Sequence, residues 1–105
     1  MGAPVNHRRI KPRPVKRRAH MARVAALGCL ICGGPAEVHH VRTGNQSRDD
    51  RRVVPLCPFH HRDSRMGFHG LGSERLFYAE HGVSLSAEAE RLAAESVEMG
   101  MLPNG

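Results

Sequence analysis

The sequence is poor in the residues that usually build a large hydrophobic core. The chain has 105 residues, with no Trp, one Tyr and three Phe, and so short a chain buries a smaller fraction of its surface than a larger domain. It also has no apolar run near the roughly 18 residues that a membrane-spanning helix needs, so we expect no membrane partner. These shortages predict a small domain that needs an additional source of stability.

Cysteine is also scarce, and its arrangement argues against a disulfide scaffold. The three cysteines cannot all pair within one chain, and their spacing is that of metal ligands in a reducing compartment, here the cytoplasm. The sequence contains two pairs of possible ligands, Cys29-x-x-Cys32 and Cys57-x-x-His60. Each pair can bind one tetrahedrally coordinated ion from its own turn. We therefore predict structural Zn²⁺ bound by Cys29, Cys32, Cys57 and His60. The alternatives are buried apolar cysteines or a redox pair.

Acidic residues are absent from the first 36 positions. All ten Asp and Glu lie at Glu37 or later, whereas residues 1–23 hold eight of the sixteen Lys and Arg. Three prolines lie among these like charges, which predicts an extended basic arm over residues 1–17. Basic side chains bind nucleic acid by displacing the counterions condensed on phosphates. The predicted contacts are Arg8, Arg9, Lys11, Arg13, Lys16, Arg17 and Arg18; the alternative is a solubilising tail, or residues from an expression or targeting context.

Residues 18–105 are predicted to form one α+β domain. Gly28 ends the first helix, a polar turn separates two short strands, and Pro58 suits the first position of the helix after the second strand. Ser73 caps a later helix, and the last helix is amphipathic and packs over the core. The predicted elements are helix 18–27, strands 37–41 and 52–54, and helices 58–65, 74–81 and 86–99.

Four further histidines lie close to the predicted zinc ligands in the sequence. Adjacent side chains on a strand point to opposite faces, so His39 and His40 are expected to do different jobs. Adjacent residues on a helix are about 100° apart, so His60 can face zinc while His61 faces a second metal ion. The fourth histidine of this group is His69.

The order of these motifs resembles that of the HNH endonucleases. The shared elements are Cys-x-x-Cys, His-His, Pro-Leu-Cys-x-x-His-His and Gly-Phe-His-Gly, which together cover Gly28 to about Gly82. Within that family, the chain resembles phage and prophage types such as the RecA-dependent Ref nuclease. The resemblance implies a zinc-stapled ββα-metal finger with flanking helices, acting on DNA in a bacterial or phage-infected cell. The resemblance is also compatible with a protein partner from recombination or from a phage.

The resemblance also implies roles for individual residues. His40 corresponds to the general base, which takes a proton from the water that attacks phosphorus. His39 and His61 correspond to ligands of a catalytic ion, Mg²⁺ or another divalent metal, which stabilises the leaving group. Relatives often hold a third ligand about one helical turn after His61, where this chain has Arg65, and we assign His69 instead.

A second departure from the family concerns its middle Asn, which steadies the loop behind the base. Arg52 occupies that position here, and the nearby polar candidates are Asn45, Asp49 and Asp50. The substrate phosphate also has several candidate partners, and the sequence does not choose among Arg42, Arg48, Arg62 and Arg65.

Two other classes of function fit part of the pattern. A non-catalytic zinc module that binds DNA or RNA accounts for the zinc ligands and the basic arm, but it leaves the four other histidines without a task. A zinc-stapled adaptor that binds proteins through its last helix leaves both the histidines and the arm unexplained. The sequence therefore favours the endonuclease.

Overall fold

The computed structural model describes residues 15–42 and 48–103, which form a two-stranded antiparallel sheet surrounded by helices. The predicted α+β class is confirmed. Among the described residues, no helix is both long and apolar enough to cross a membrane. The elements are α1 (Val15–Ala26), β1 (Glu37–His40), β2 (Val53–Leu56), a π-helical turn (Phe59–Asp63), α2 (Phe68–Leu71), α3 (Glu74–His81) and α4 (Leu85–Glu98).

Helix α1 begins three residues earlier than the sequence predicted. Residues 15–17, which we assigned to the extended arm, are helical, because Lys and Arg are good helix formers and extend the helix towards its N-terminus. Arg17 and Arg18 are exposed on α1. The other predicted nucleic-acid contacts, namely the side chain of Lys16 and the residues Arg8, Arg9, Lys11 and Arg13, lie outside what the structure describes.

The hairpin positions the candidate site, and its second strand is the centre of the core. Strand β1 pairs with β2 in the register His39↔Val54 and His40↔Val53, and every residue of β2 is buried between α1 and α4. The strand was predicted over 52–54 but continues through Pro55. Pro55 has no N–H to donate, yet its carbonyl accepts a hydrogen bond from the Leu30 N–H at 3.0 Å. This bond ties the cysteine turn to the sheet.

The segment after Pro58 differs most from the prediction. The expected helix over 58–65 is only the π-helical turn, and α2 lies between it and α3, where no helix or strand was predicted. Two glycines explain this close packing: a Cβ at Gly67 would lie 2.7 Å from the Phe59 carbonyl oxygen, and one at Gly70 would lie 2.5 Å from that of Ser64. Only glycine lets α2 approach the backbone of the π-helical turn, and this approach brings His69 beside His61.

Helices α3 and α4 match the sequence prediction closely. The Ser73 hydroxyl accepts the Leu76 N–H at 3.1 Å, and α3 ends at Gly82, whose φ is +73°. In α4 the predicted apolar stripe buries Leu85, Ala89 and Leu92. The next position of this stripe is Ser96, which is also fully buried. Its hydroxyl group therefore needs a partner inside the protein.

That partner is His20, a fully buried histidine of α1. The Ser96 hydroxyl lies 2.6 Å from His20 Nδ1, and His20 Nε2 lies 3.1 Å from the Arg51 carbonyl oxygen. The carbonyl can only accept, so Nε2 carries the hydrogen and Nδ1 accepts from Ser96. Arg23 Nε donates to the same hydroxyl at 2.9 Å. One neutral imidazole thus joins α1, α4 and the segment before β2.

This arrangement predicts a loss of stability in mild acid. Burial lowers the pKa of His20; the Arg51 carbonyl and Asp49 oppose this shift, and the charges of Arg23 and Arg51 add to it. The unfolded chain takes up this proton near pH 6.5, before the folded protein does. The contribution of His20 is therefore fully present above about pH 6.5 and falls as the pH drops towards the lower folded pKa.

The measurement is chemical denaturation of the wild type and of His20→Gln across this pH window. The free energy of unfolding of the wild type should fall more steeply with decreasing pH, because the other titrating groups are common to both proteins. Equal slopes would show that His20 is protonated as readily in the folded protein as in the unfolded chain.

Candidate functional site

Three thiols and one imidazole meet at the end of α1 and the start of the π-helical turn. The ligand atoms of Cys29, Cys32, Cys57 and His60 all lie within 4.8 Å of one another. Cys32 Sγ is 3.6 Å from Cys57 Sγ, and His60 Nδ1 is 3.3 Å from Cys57 Sγ and 3.7 Å from Cys29 Sγ. Zinc–ligand bonds at tetrahedral angles imply S···S separations of about 3.8 Å and S···N separations of about 3.6 Å. The cluster is therefore compatible with a bound metal such as zinc.

Backbone hydrogen bonds fix the two turns that bring the side chains of this cluster together. The Cys29 N–H donates to the Gly34 carbonyl at 2.9 Å, and the Gly33 N–H donates to the Cys29 carbonyl at 2.8 Å, which closes the first cysteine turn. Cys57 directly follows β2. Its carbonyl accepts the His61 N–H at 2.9 Å, and this bond lies at the start of the π-helical turn. Segments 25 or more residues apart in sequence therefore meet at one point.

Burial and hydrogen bonds shift the pKa of three of these four groups. Burial alone raises the pKa of Cys29, but N–H groups of Cys57, Cys32 and Ile31 outweigh this and lower it overall. Burial raises the pKa of Cys57, and burial together with His81 lowers the pKa of His60. A neutral His60 offers its Nδ1 lone pair to a metal ion, and a bound cation would favour the thiolate form of the cysteines.

A second cluster contains only histidines, each from a different element. Ligand nitrogens of His39 in β1, His61 in the π-helical turn and His69 in α2 lie within 4.8 Å of one another. His39 Nδ1 is 3.2 Å from His61 Nε2. Burial lowers the pKa of His39 to about 4, and the charges that His61, His69 and His40 can carry add to this shift. His39 is therefore neutral near pH 7 and has a lone pair for a metal ion.

Glu37 orients the central histidine of this cluster. Its Oε2 lies 2.5 Å from His61 Nδ1, and Arg62 holds the same carboxylate through Nε at 2.9 Å and through a terminal nitrogen at 3.2 Å. Because the carboxylate accepts, His61 carries its hydrogen on Nδ1 and turns the Nε2 lone pair towards His39. A carboxylate behind a metal-binding histidine commonly fixes its tautomer in this way.

Glu37 was not singled out from the sequence. The available signal was its position two residues before His39, which places both side chains on one face of the strand. The structure also assigns Arg62 to Glu37, although the sequence left it as a candidate for the substrate phosphate.

His40 takes a different partner from His39. Its Nε2 donates to Asp50 Oδ1 at 2.8 Å, and it does not belong to the three-histidine cluster. Of the candidates for the missing Asn, Asp49 instead accepts the Arg51 N–H at 2.9 Å, and Asn45 lies outside the described residues. Asp50 is thus the candidate that contacts the histidine.

One cleft of about 370 Å³ contains all four of these histidines. Arg42 and Arg48 also line it, whereas Arg65 and His60 of the Cys₃His cluster do not. Phe68 packs against His39 with the ring centroids 4.3 Å apart, which covers the buried side of that ring. Two adjacent residues, His60 and His61, therefore belong to different sites, as their angular separation predicted.

Comparison with known proteins adds no assignment to this geometry. No family model, curated protein or solved structure matches the chain. Any function assigned to the chain therefore rests on the chemistry of the two clusters.

Proposed function

We propose that the protein is a metal-dependent HNH endonuclease that hydrolyses DNA phosphodiester bonds. The observation that supports this most is the convergence of His39, His40, His61 and His69 on one cleft beside a separate Cys₃His cluster. In this proposal the hairpin, the π-helical turn and α2 constitute the ββα-metal finger. The Cys₃His cluster holds a structural zinc ion that fixes the finger to α1.

The donor set suggests which metal serves the cleft. His39, His61 and His69 offer three imidazole nitrogens, and imidazole suits Zn²⁺, Ni²⁺ and similar transition metals, whereas Mg²⁺ prefers oxygen ligands. We therefore favour a transition metal over the Mg²⁺ considered from the sequence. When bound there, such an ion supplies a Lewis acid for a phosphate oxygen and for the departing 3′ oxygen.

The side chains of the cleft divide the remaining work. His40 takes a proton from the attacking water, since a neutral imidazole is well suited to this near neutral pH. Glu37 and Arg62 keep His61 in one tautomer, and Arg42 at the cleft wall attracts the substrate phosphate. The exposed Arg17 and Arg18 of α1, with the basic residues before them, add attraction for the DNA backbone.

The adaptor alternative loses its main support in the structure. It relied on the amphipathic last helix, whose stripe of Leu85, Ala89 and Leu92 is buried in the core and so is not free for a partner. A non-catalytic nucleic-acid module remains the second candidate, because Arg17 and Arg18 are exposed. A non-catalytic module does not explain why four histidines line one cleft.

Plasmid nicking distinguishes the two. Zinc-loaded protein is incubated with supercoiled plasmid and Ni²⁺, Mn²⁺ or Mg²⁺, and nicked and linear products are measured. The endonuclease should nick in at least one transition metal, and less well in Mg²⁺. Folded protein that binds the plasmid but does not nick it in any of these ions would identify the non-catalytic module.

A further inference from the structure

The pair formed by His40 and Asp50 has geometry that the nuclease assignment alone does not require. Both side chains are largely buried, with 12% and 13% of their surface exposed, and they meet through Nε2 and Oδ1 at 2.8 Å. The other ring nitrogen, Nδ1, has no hydrogen-bond partner among the described residues, and the ring lines the cleft. The two nitrogens of His40 are therefore in different environments.

We propose that Asp50 is a positioning residue that holds His40 as the Nε2–H tautomer and so makes Nδ1 the basic atom. This inference rests on the proposed nuclease function. An ionised carboxylate only accepts hydrogen bonds, so the neutral ring must carry its hydrogen on Nε2 and its lone pair on Nδ1. The same logic governs the Asp-His pair of serine proteases, where the carboxylate fixes the tautomer and stabilises the imidazolium.

This tautomer permits His40 Nδ1 to accept a proton from water as the water attacks phosphorus. An oxygen lone pair of water forms the new P–O bond while one water proton moves to His40 Nδ1. The P–O3′ bond breaks, its electron pair stays on the 3′ oxygen, and that oxygen takes a proton from solvent. The positive charge on His40 lies 2.8 Å from the Asp50 carboxylate, and the ring later returns its proton to solvent.

Asp49 provides a matched control next in the chain. It is also a carboxylate before β2, but its Oδ1 accepts the Arg51 N–H at 2.9 Å and its carbonyl accepts the Arg52 N–H at 2.9 Å. These bonds shape the turn and do not involve His40. Asp49→Asn keeps both acceptors, so it tests for a general effect of removing charge from this segment.

The test measures the tautomer directly. Zinc-loaded, ¹⁵N-labelled protein without added catalytic metal is studied by long-range ¹H–¹⁵N correlation at a pH where the ring is neutral. The wild type and Asp49→Asn should show Nε2–H at His40. Asp50→Asn should move the hydrogen towards Nδ1, because an amide N–H can donate to Nε2. Asp50→Glu keeps a carboxylate and should retain much of the wild-type signature.

Nicking kinetics complete the experiment. In Asp50→Asn, kcat should fall by roughly 100-fold, within the 10²–10⁴ that general-base catalysis contributes, with little change in KM. A wild type that carries its hydrogen on Nδ1, or an Asp50→Asn protein with unchanged tautomer and kcat, would overturn the inference. A wild type that shows the Asp50-dependent tautomer but never nicks DNA would instead overturn the nuclease function and leave Asp50 as the residue that orients His40.

Discussion

Cys57→Ser is expected to unfold the protein under conditions in which the wild type is fully folded. Cys57 is buried, and its sulfur lies 3.6 Å from Cys32 Sγ and 3.3 Å from His60 Nδ1. Structural zinc sites contribute about 10–16 kcal/mol of apparent binding free energy in small fingers, whereas whole domains are stable by only about 5–15 kcal/mol. A core with one buried Phe and no Trp does not offset such a loss.

Circular dichroism melting and zinc content measure this effect. The variant should contain less than one equivalent of zinc and lose its cooperative transition, and a strong chelator should do the same to the wild type. His81→Ala is the control, because His81 contacts the His60 ring with centroids 5.5 Å apart but is not among the four ligands. If the wild type melted at the same temperature with and without chelator, bound zinc would not contribute to its stability.

His40→Ala is expected to abolish most nicking while leaving the fold and the DNA affinity intact. The substitution removes the proposed base, and general-base catalysis contributes about 10²–10⁴ in rate. His40 is not a member of either metal cluster, so the variant should bind the same amount of metal as the wild type. This separates loss of the base from loss of an ion.

The measurement is the initial rate of plasmid nicking at saturating metal, alongside metal content and DNA binding. His81→Ala again serves as the control for replacing a histidine outside the cleft, and His61→Ala should lose metal as well as activity. If His40→Ala nicked at the wild-type rate, the base would have to be another group, and the assignment of His40 would be wrong.

The Cys₃His cluster was predictable because the spacing of its residues carries the information locally. In each pair the two residues are three positions apart, so each pair can offer two ligands to one ion from a single turn. The separation of His60 from His61 was predictable for a similar reason: adjacent residues on any helical turn point in different directions, and this remains true in the π-helical turn that replaced the expected α-helix.

Other features depended on contacts that no local pattern encodes. The place of His69 depends on Gly67 and Gly70, which allow α2 to approach the π-helical turn; read locally, these glycines predicted a loop. Glu37 was recognised only once the structure showed that its carboxylate reaches His61. Asp50 was one of three candidates from the sequence, and only the structure shows that it reaches His40. Side-chain pairing across the fold was the part that the sequence alone could not supply.

The π-helical turn joins the two clusters, because His60 belongs to one and the adjacent His61 to the other. If the Cys₃His cluster binds zinc as proposed, we expect a newly synthesised chain without zinc to have no fixed turn and hence no organised cleft. On the proposed function, such a chain is harmless to the DNA of the cell that makes it. On this proposal, the supply of zinc would limit when the cleft becomes organised enough to receive its own catalytic ion.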